Sequence, residues 1–176
     1  EILNANVEIF NTYNIKPTCL ETGMVPVDLD VTPMDNSKTH KEGVSYTYKG
    51  FVGYAPMMAY IGTEGFLVNT ELREGSQHCQ CNTPEFLRQT LKYSHQLTDK
   101  QLLIRMDSGN DAAENLGILI EDGSWFIVKR NLRRGETKQE WLDKVKECCQ
   151  DIRHPRDGKT VYIGSSWKDV DYKDSE

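Results

Sequence analysis

Asp28 and Asp30 alternate with apolar residues in VPVDLDVTP, and Asp107 closes the apolar run LLIRMD just before Ser108 and Gly109. Carboxylates this far apart in sequence share a task only where the fold brings them together. Two acidic groups held side by side repel unless a cation joins them. Hard divalent ions prefer oxygen ligands, typically one or two carboxylates with water and a substrate phosphate. Two plainer readings stand beside that one. Asp107 is a good N-cap for a helix opening in DSGND, and Asp28 and Asp30 also suit the solvated face of an edge strand. The elements that carry these residues decide between the readings.

In MVPVDLDVTP, Val25, Val27, Leu29 and Val31 point one way and Asp28, Asp30 and Thr32 the other, the period of a strand with both aspartates on one face. Pro33 and the polar run through Gly43 end it. VSYTYKGFVGYAPMMAYIG and GFLVNTELREG, rich in β-branched and aromatic residues and broken at Gly53, Pro56 and Gly62, predict two or three antiparallel strands. NTPEFLRQTLKYSHQL predicts a helix with Thr83 as N-cap and Pro84 in its first turn. QLLIRMD reads as a buried strand, AAENLGILIEDG as an amphipathic helix stopped at Gly123, and SWFIVKRN as a strand. TKQEWLDKVKECCQ reads as a helix and KTVYIGSSWKDVDY as a strand with a polar tail, while NANVEIFNTYNIK supplies a leading helix.

This order, three strands, helix, strand, helix, strand, predicts an α/β fold with a mixed sheet flanked by helices. The first three strands are antiparallel, and the later ones run parallel through helical crossovers. In such a sheet the first strand is central and the strand after the first long helix lies parallel beside it. Asp30 and Asp107 then converge at the carboxyl ends of neighbouring strands, where open α/β sheets bind ligands.

The length of 176 residues suits one domain with a real core, and no run approaches the roughly 20 apolar residues that span a bilayer. The chain opens on Glu1 rather than Met, without a secretory leader, which predicts a piece, truncated at both ends, of a longer cytoplasmic protein. The five cysteines, Cys19, Cys79, Cys81, Cys148 and Cys149, do not have the spacing of a disulfide framework, and HCQC without a second matching pair is a weak zinc signal. A net charge of −6 argues against a surface that grips nucleic acid throughout. The one dense basic run, KRNLRR, holds Lys129, Arg130, Arg133 and Arg134, and taken alone it reads as a solvated loop.

Three segments, DLDVTPMDNSKTHKEG, LREGSQHCQC and IRMDSG, resemble in order and spacing the catalytic core of DDE-type transposases encoded by bacterial insertion sequences. The resemblance implies a ribonuclease H-like fold, with Asp30 as the first catalytic aspartate and Asp107 as the second. Asp28 is the rival for the first role, and Asp30 is preferred because it is nearer the strand end. Arg105, two residues before Asp107 on the same face, would orient that carboxylate or meet a phosphate. His78, in the Gly-x-x-His turn from Gly75, would stand near the site or cap the following helix. The implied cofactor is Mg2+, with Mn2+ as a substitute, bound by Asp30, Asp107 and, in the rival assignment, Asp28. The implied reaction is phosphodiester hydrolysis at transposon ends followed by strand transfer.

The implied partners are transposon-end and target DNA, met along Lys129, Arg130, Arg133 and Arg134, in a dimer or larger assembly in the bacterial cytoplasm. The family also carries a glutamate on a helix after the strand that here reads SWFIVKRN, usually beyond a β-rich insertion. After Asn131 the expected tyrosine, arginine, glutamate and lysine spacing is missing. Glu140 and Glu147 are the carboxylates at hand, and residues from about 155 to 176 read as the start of the insertion. Lacking its third carboxylate, the isolated fragment is expected to be inactive. A metal-dependent nuclease of the same fold and a non-catalytic remnant that binds a partner are the competing readings.

Overall fold

The structure, a computed structural model, describes residues 2–167. Helix α1 (Ile2–Thr12) leads to β1 (Val25–Val31), β2 (Met34–Asp35), β3 (Ser45–Tyr46), β4 (Val52–Tyr54), β5 (Met57–Ile61) and β6 (Phe66–Glu71). Then follow α2 (Thr83–Leu97), β7 (Leu102–Met106), α3 (Ala113–Asp122), β8 (Trp125–Val128), α4 (Lys138–Glu147), β9 (Cys149–Arg156) and β10 (Lys159–Gly164). The chain divides into two compact units, with the boundary after Arg130.

The first unit is built on a five-stranded sheet in the order β6-β5-β1-β7-β8. β1 pairs antiparallel with β5, which pairs antiparallel with β6; on its other side β1 pairs parallel with β7, and β7 with β8. This is the mixed sheet that the element order predicts, with β1 at its centre. Alternation along β1 selects the core face: Val25, Val27 and Leu29 are buried, while Asp28 is half-buried and Asp30 exposed. Met57, Ala59 and Ile61 of β5 and Leu102, Ile104 and Met106 of β7 join the same core, which α1, α2 and α3 complete with residues such as Phe10, Leu87, Leu91 and Leu119. Each fully buried large aliphatic side chain contributes roughly 1.5–3 kcal/mol. The aspartate face is therefore held in place by the apolar face behind it.

Two helix ends show how local chemistry sets boundaries. α3 stops at Gly123 (φ 76), where the N–H groups of Gly123 and Ser124 bond the carbonyls of Ile120 and Leu119, a left-handed closure that glycine adopts without strain. α2 corrects the expected cap: Asn82 (φ 59) is the N-cap and Thr83 is already helical. Thr83 is fully buried, with its hydroxyl donating to the Cys79 carbonyl and accepting from Arg73 Nη1. Its side chain is committed inward and cannot serve the helix end.

The strands expected across residues 44–74 resolve into β5 and β6 of the main sheet and the short β3 and β4 of a second sheet, ordered β2-β4-β3. Gly53 permits this sheet, because a Cβ there would stand 1.9 Å from the Met34 carbonyl oxygen. In the second unit, α4 opens with a capping box: the Thr137 hydroxyl accepts from Glu140 N–H while the Glu140 carboxylate accepts from Thr137 N–H. β9 and β10 then form an antiparallel pair. β9, polar and containing Pro155, was not expected, and the strand expected over residues 159–172 ends at Gly164, with 168–172 outside the described residues.

Candidate active site

The parallel register of β1 and β7 pairs Asp28 with Arg105 and Leu29 with Met106. One step further along each strand stand Asp30 and Asp107, on the same face as Asp28 and Arg105. Both border a cavity of about 500 Å3. Partial removal from water at this wall, and then the like charges of Asp107 and Asp28, raise the Asp30 pKa above its ordinary 3.8, opposed by a hydrogen bond from the Val31 backbone and by the charge of Lys49.

Asp107 fills the capping role its sequence position allows. Its Oδ1 accepts from Gly109 N–H at 3.0 Å and from Asn110 Nδ2 at 2.9 Å, capping the short 3-10 turn Ser108–Asn110. Both bonds fall on one oxygen, and Oδ2 makes none within the described residues. The Cys79 thiol donates to the Gly109 carbonyl at 3.1 Å, tying this turn to the segment that precedes α2. Capping and ligation are thus compatible in one side chain.

A family model for the transposase DDE domain, group 1, matches residues 14–171. The chain belongs to that family. No curated protein matches it by sequence. Among similar solved structures is a cryo-EM structure of a piggyBac transposase synaptic complex with hairpin DNA, at 13% identity and a TM-score of 0.45, the match covering 84% of this chain and 34% of that one. The transposase domain thus spans about a third of that chain's length.

Within the transposase domain, Arg105 forms a two-pronged salt bridge with Asp28 rather than with Asp107. The reason is register: Asp28 lies directly across from Arg105 on the neighbouring strand, whereas Asp107 lies two residues along the same strand. Asp28 is consequently engaged by a guanidinium, and Asp30 is not. His78 borders the cavity, and its Nδ1 accepts the Gln80 N–H at 3.3 Å, a local turn contact that leaves Nε2 as the ring atom available to a ligand. Among the described residues no cluster of three or more His, Cys, Asp or Glu side chains is arranged to hold a metal ion.

The basic run is split by the unit boundary. Lys129 is exposed just after β8 and, with Asp107 and Arg105, borders an open groove on the aspartate face. Arg130 forms an ion pair with the nearly buried Asp111 at 3.3 Å. Arg133 and Arg134 are exposed in the second unit, where Arg133 Nη1 donates to the Asn131 carbonyl at 3.1 Å. Glu140, one of the two glutamates weighed as a third carboxylate, is engaged in the α4 capping box. Glu147 is the last residue of α4.

Two cavity residues, Arg73 and Tyr48, were assigned no role from the sequence, nor was Lys49 beside Tyr48. Arg73, 2% exposed, bonds Glu71, the Cys79 carbonyl and Thr83. Tyr48 and Lys49 sit in the turn between β3 and β4. Gly75 explains the glycine of Gly-x-x-His: a Cβ there would lie 2.3 Å from the Ser45 carbonyl oxygen and 2.6 Å from that of Gly53. The turn carrying His78 is thereby pressed against the β3-β4 hairpin, with Gly75 N–H bonded to Gly53 O at 3.1 Å and Ser76 N–H to Ser45 Oγ at 2.8 Å.

Proposed function

We propose that this transposase domain is part of a longer protein of the bacterial insertion-sequence kind, and that it supplies two carboxylates, Asp30 and Asp107, to divalent-metal-dependent hydrolysis and strand transfer at transposon ends. The observation that carries the reading is their placement on one face, at the ends of adjacent parallel strands, bordering one cavity. The donor set fits a hard cation: both groups offer oxygen, and partial burial, with the charge of Asp107 added to it, disfavours ionisation of Asp30 until a positive partner arrives. Such an ion, Mg2+ or in its place Mn2+, supplies Lewis-acid stabilisation of the charge that develops on a transferring phosphate. The chain's own contribution is positional. The cap on Oδ1 orients Asp107, the Arg105 bridge holds Asp28 aside, and Lys49 and Lys129 add positive charge for the DNA backbone near the carboxylates.

The test uses the full-length parent protein with its element's DNA ends and Mg2+. Cleavage followed by joining to target DNA is the expected result. Cleavage without joining would make the protein a nuclease of the same fold, and neither activity would make it a partner-binding remnant. The same reading places end and target DNA, a dimeric or larger assembly on paired ends, and a cytoplasmic site of action with the full-length protein. No helix among the described residues is long and apolar enough to cross a membrane.

A pH-dependent prediction follows from Asp30. Its pKa is raised in the folded chain, so the native state binds this proton more readily than the unfolded state. The carboxylate therefore lowers stability progressively as pH rises from near 4 through the folded pKa, and the loss persists at neutral pH. A divalent ion bound to the native state acts in the opposite sense, adding about 1.4 kcal/mol at ten times its Kd. Thermal melts should show Mn2+ raising Tm at pH 7, with the increment fading as acid protonates Asp30. Asp30→Asn should melt within about 0.5 kcal/mol of the unaltered chain without metal and should lose the metal response. A full Mn2+ response in that variant would remove Asp30 from the site.

A further inference from the structure

The cavity has a wall for which the phosphodiester chemistry of the carboxylates has no use. Tyr46 and Tyr48 border it while remaining 65% and 69% exposed. They flank Thr47, which is 2% exposed, and the buried threonine fixes the turn that presents them. Thr47 N–H bonds Phe51 O at 2.8 Å, its carbonyl accepts from Gly50 N–H at 3.0 Å, and Gly50 adopts φ +89, which a glycine takes readily. Gly75 packs against this hairpin from behind, with Thr47 Cγ2 2.7 Å from where its Cβ would be. The two aromatic rings are thus carried on an anchored turn.

Charge is arranged beside them. Lys49 Nζ lies 5.4 Å from the centroid of the Tyr48 ring, and the same ammonium acts on Asp30. Partial burial, then the charges of Asp30 and Asp107, hold the Tyr48 hydroxyl proton more tightly than in a free phenol, so the ring is within electrostatic reach of both carboxylates. An aromatic face, a cation and a carboxylate pair share one rim.

Resting on the transposase reading above, we propose that this turn is a stacking platform for an unpaired nucleobase of the DNA strand that crosses the carboxylates, with Tyr48 and Tyr46 meeting the base and Lys49 the adjoining phosphate. Every base offers a π-face to an aromatic side chain, and a base inside a duplex has both faces covered by its neighbours. Only a base out of the stack can use the platform. The cavity, about 500 Å3, lies in the size range of pockets that enclose small molecules. The proposal adds a base-recognition surface to a site otherwise described by its phosphate chemistry.

The experiment compares two fluorescein-labelled duplexes at low ionic strength, identical except that one carries a single bulged 2-aminopurine and the other holds that 2-aminopurine paired. Anisotropy gives the affinity of this chain, and 2-aminopurine fluorescence reports stacking. The bulged duplex should bind about tenfold more tightly, with its fluorescence altered on binding. Tyr48→Ala should abolish the preference while leaving affinity for the paired duplex and the melting temperature unchanged, and Tyr48→Phe should retain the preference. Equal binding of the two duplexes, a preference that survives in Tyr48→Ala, or failure to bind either DNA would overturn the proposal. The catalytic reading has a separate readout: cleavage by the full-length protein that survives loss of Asp30 sinks that reading, whereas cleavage retained without base preference sinks only this one.

Discussion

Full-length protein carrying Asp107→Asn should be folded, normally stable and defective in transposition by about three orders of magnitude. The choice of asparagine separates the two roles of the residue. Asparagine caps helices about as well as aspartate, so the bonds from Gly109 N–H and Asn110 Nδ2 can persist on its carbonyl oxygen while the negative charge is gone. Asp107→Ala removes the cap as well, and its melt should fall by about 0.5–2 kcal/mol. The size of the activity loss follows from several kcal/mol of charge stabilisation at the transferring phosphate, at about 1.4 kcal/mol per factor of ten. Asp30→Ala should match the activity loss, with no cap to lose. Near-normal transposition by a folded Asp107→Asn protein would leave Asp107 as a cap and nothing more.

Gly75→Ala should be the most disruptive single change around the cavity. Its Cβ would meet the carbonyl oxygens of Ser45 and Gly53 at 2.3 and 2.6 Å, and two of the three nearest atoms belong to backbone already held in the small sheet. Neither can rotate away as a side chain tip would, so the turn must separate from the hairpin. Overpacking of this kind costs about 1–3 kcal/mol, and here it would also break the Gly75 to Gly53 hydrogen bond and shift His78 and Tyr48 apart. A urea titration should show the stability loss. Ser76→Ala is the control: its contact to Ser45 uses the backbone N–H, so that variant should stay within about 0.5 kcal/mol. An unperturbed Gly75→Ala midpoint would mean that the turn and hairpin are not rigidly joined.

The parts of the fold legible in the sequence are those with a repeating period. β1 and β7 alternate or run apolar over enough residues to be seen, and their order in the chain placed Asp30 and Asp107 at neighbouring strand ends. Gly123 was legible because a left-handed helix stop favours glycine. β2 and β3 have two residues each and show no period, and β9 is exposed along nearly its whole length, so no hydrophobic pattern announces it. Arg105 was matched to the carboxylate nearest in sequence, whereas sheet register gave it Asp28. Arg73 and Tyr48 depend on how the hairpin, the Gly75 turn and α2 meet, which no local pattern encodes.

The cap on Asp107 has a thermodynamic corollary for whatever the site binds. A free aspartate samples several rotamers, and any ligand that needs one of them must restrict the side chain at the moment of binding. Here two donors from the 3-10 turn already fix the carboxylate through Oδ1, so that conformational entropy was lost when the chain folded. Association at Oδ2 is then relieved of that ordering cost, and the favourable part of each new contact appears more fully in the affinity.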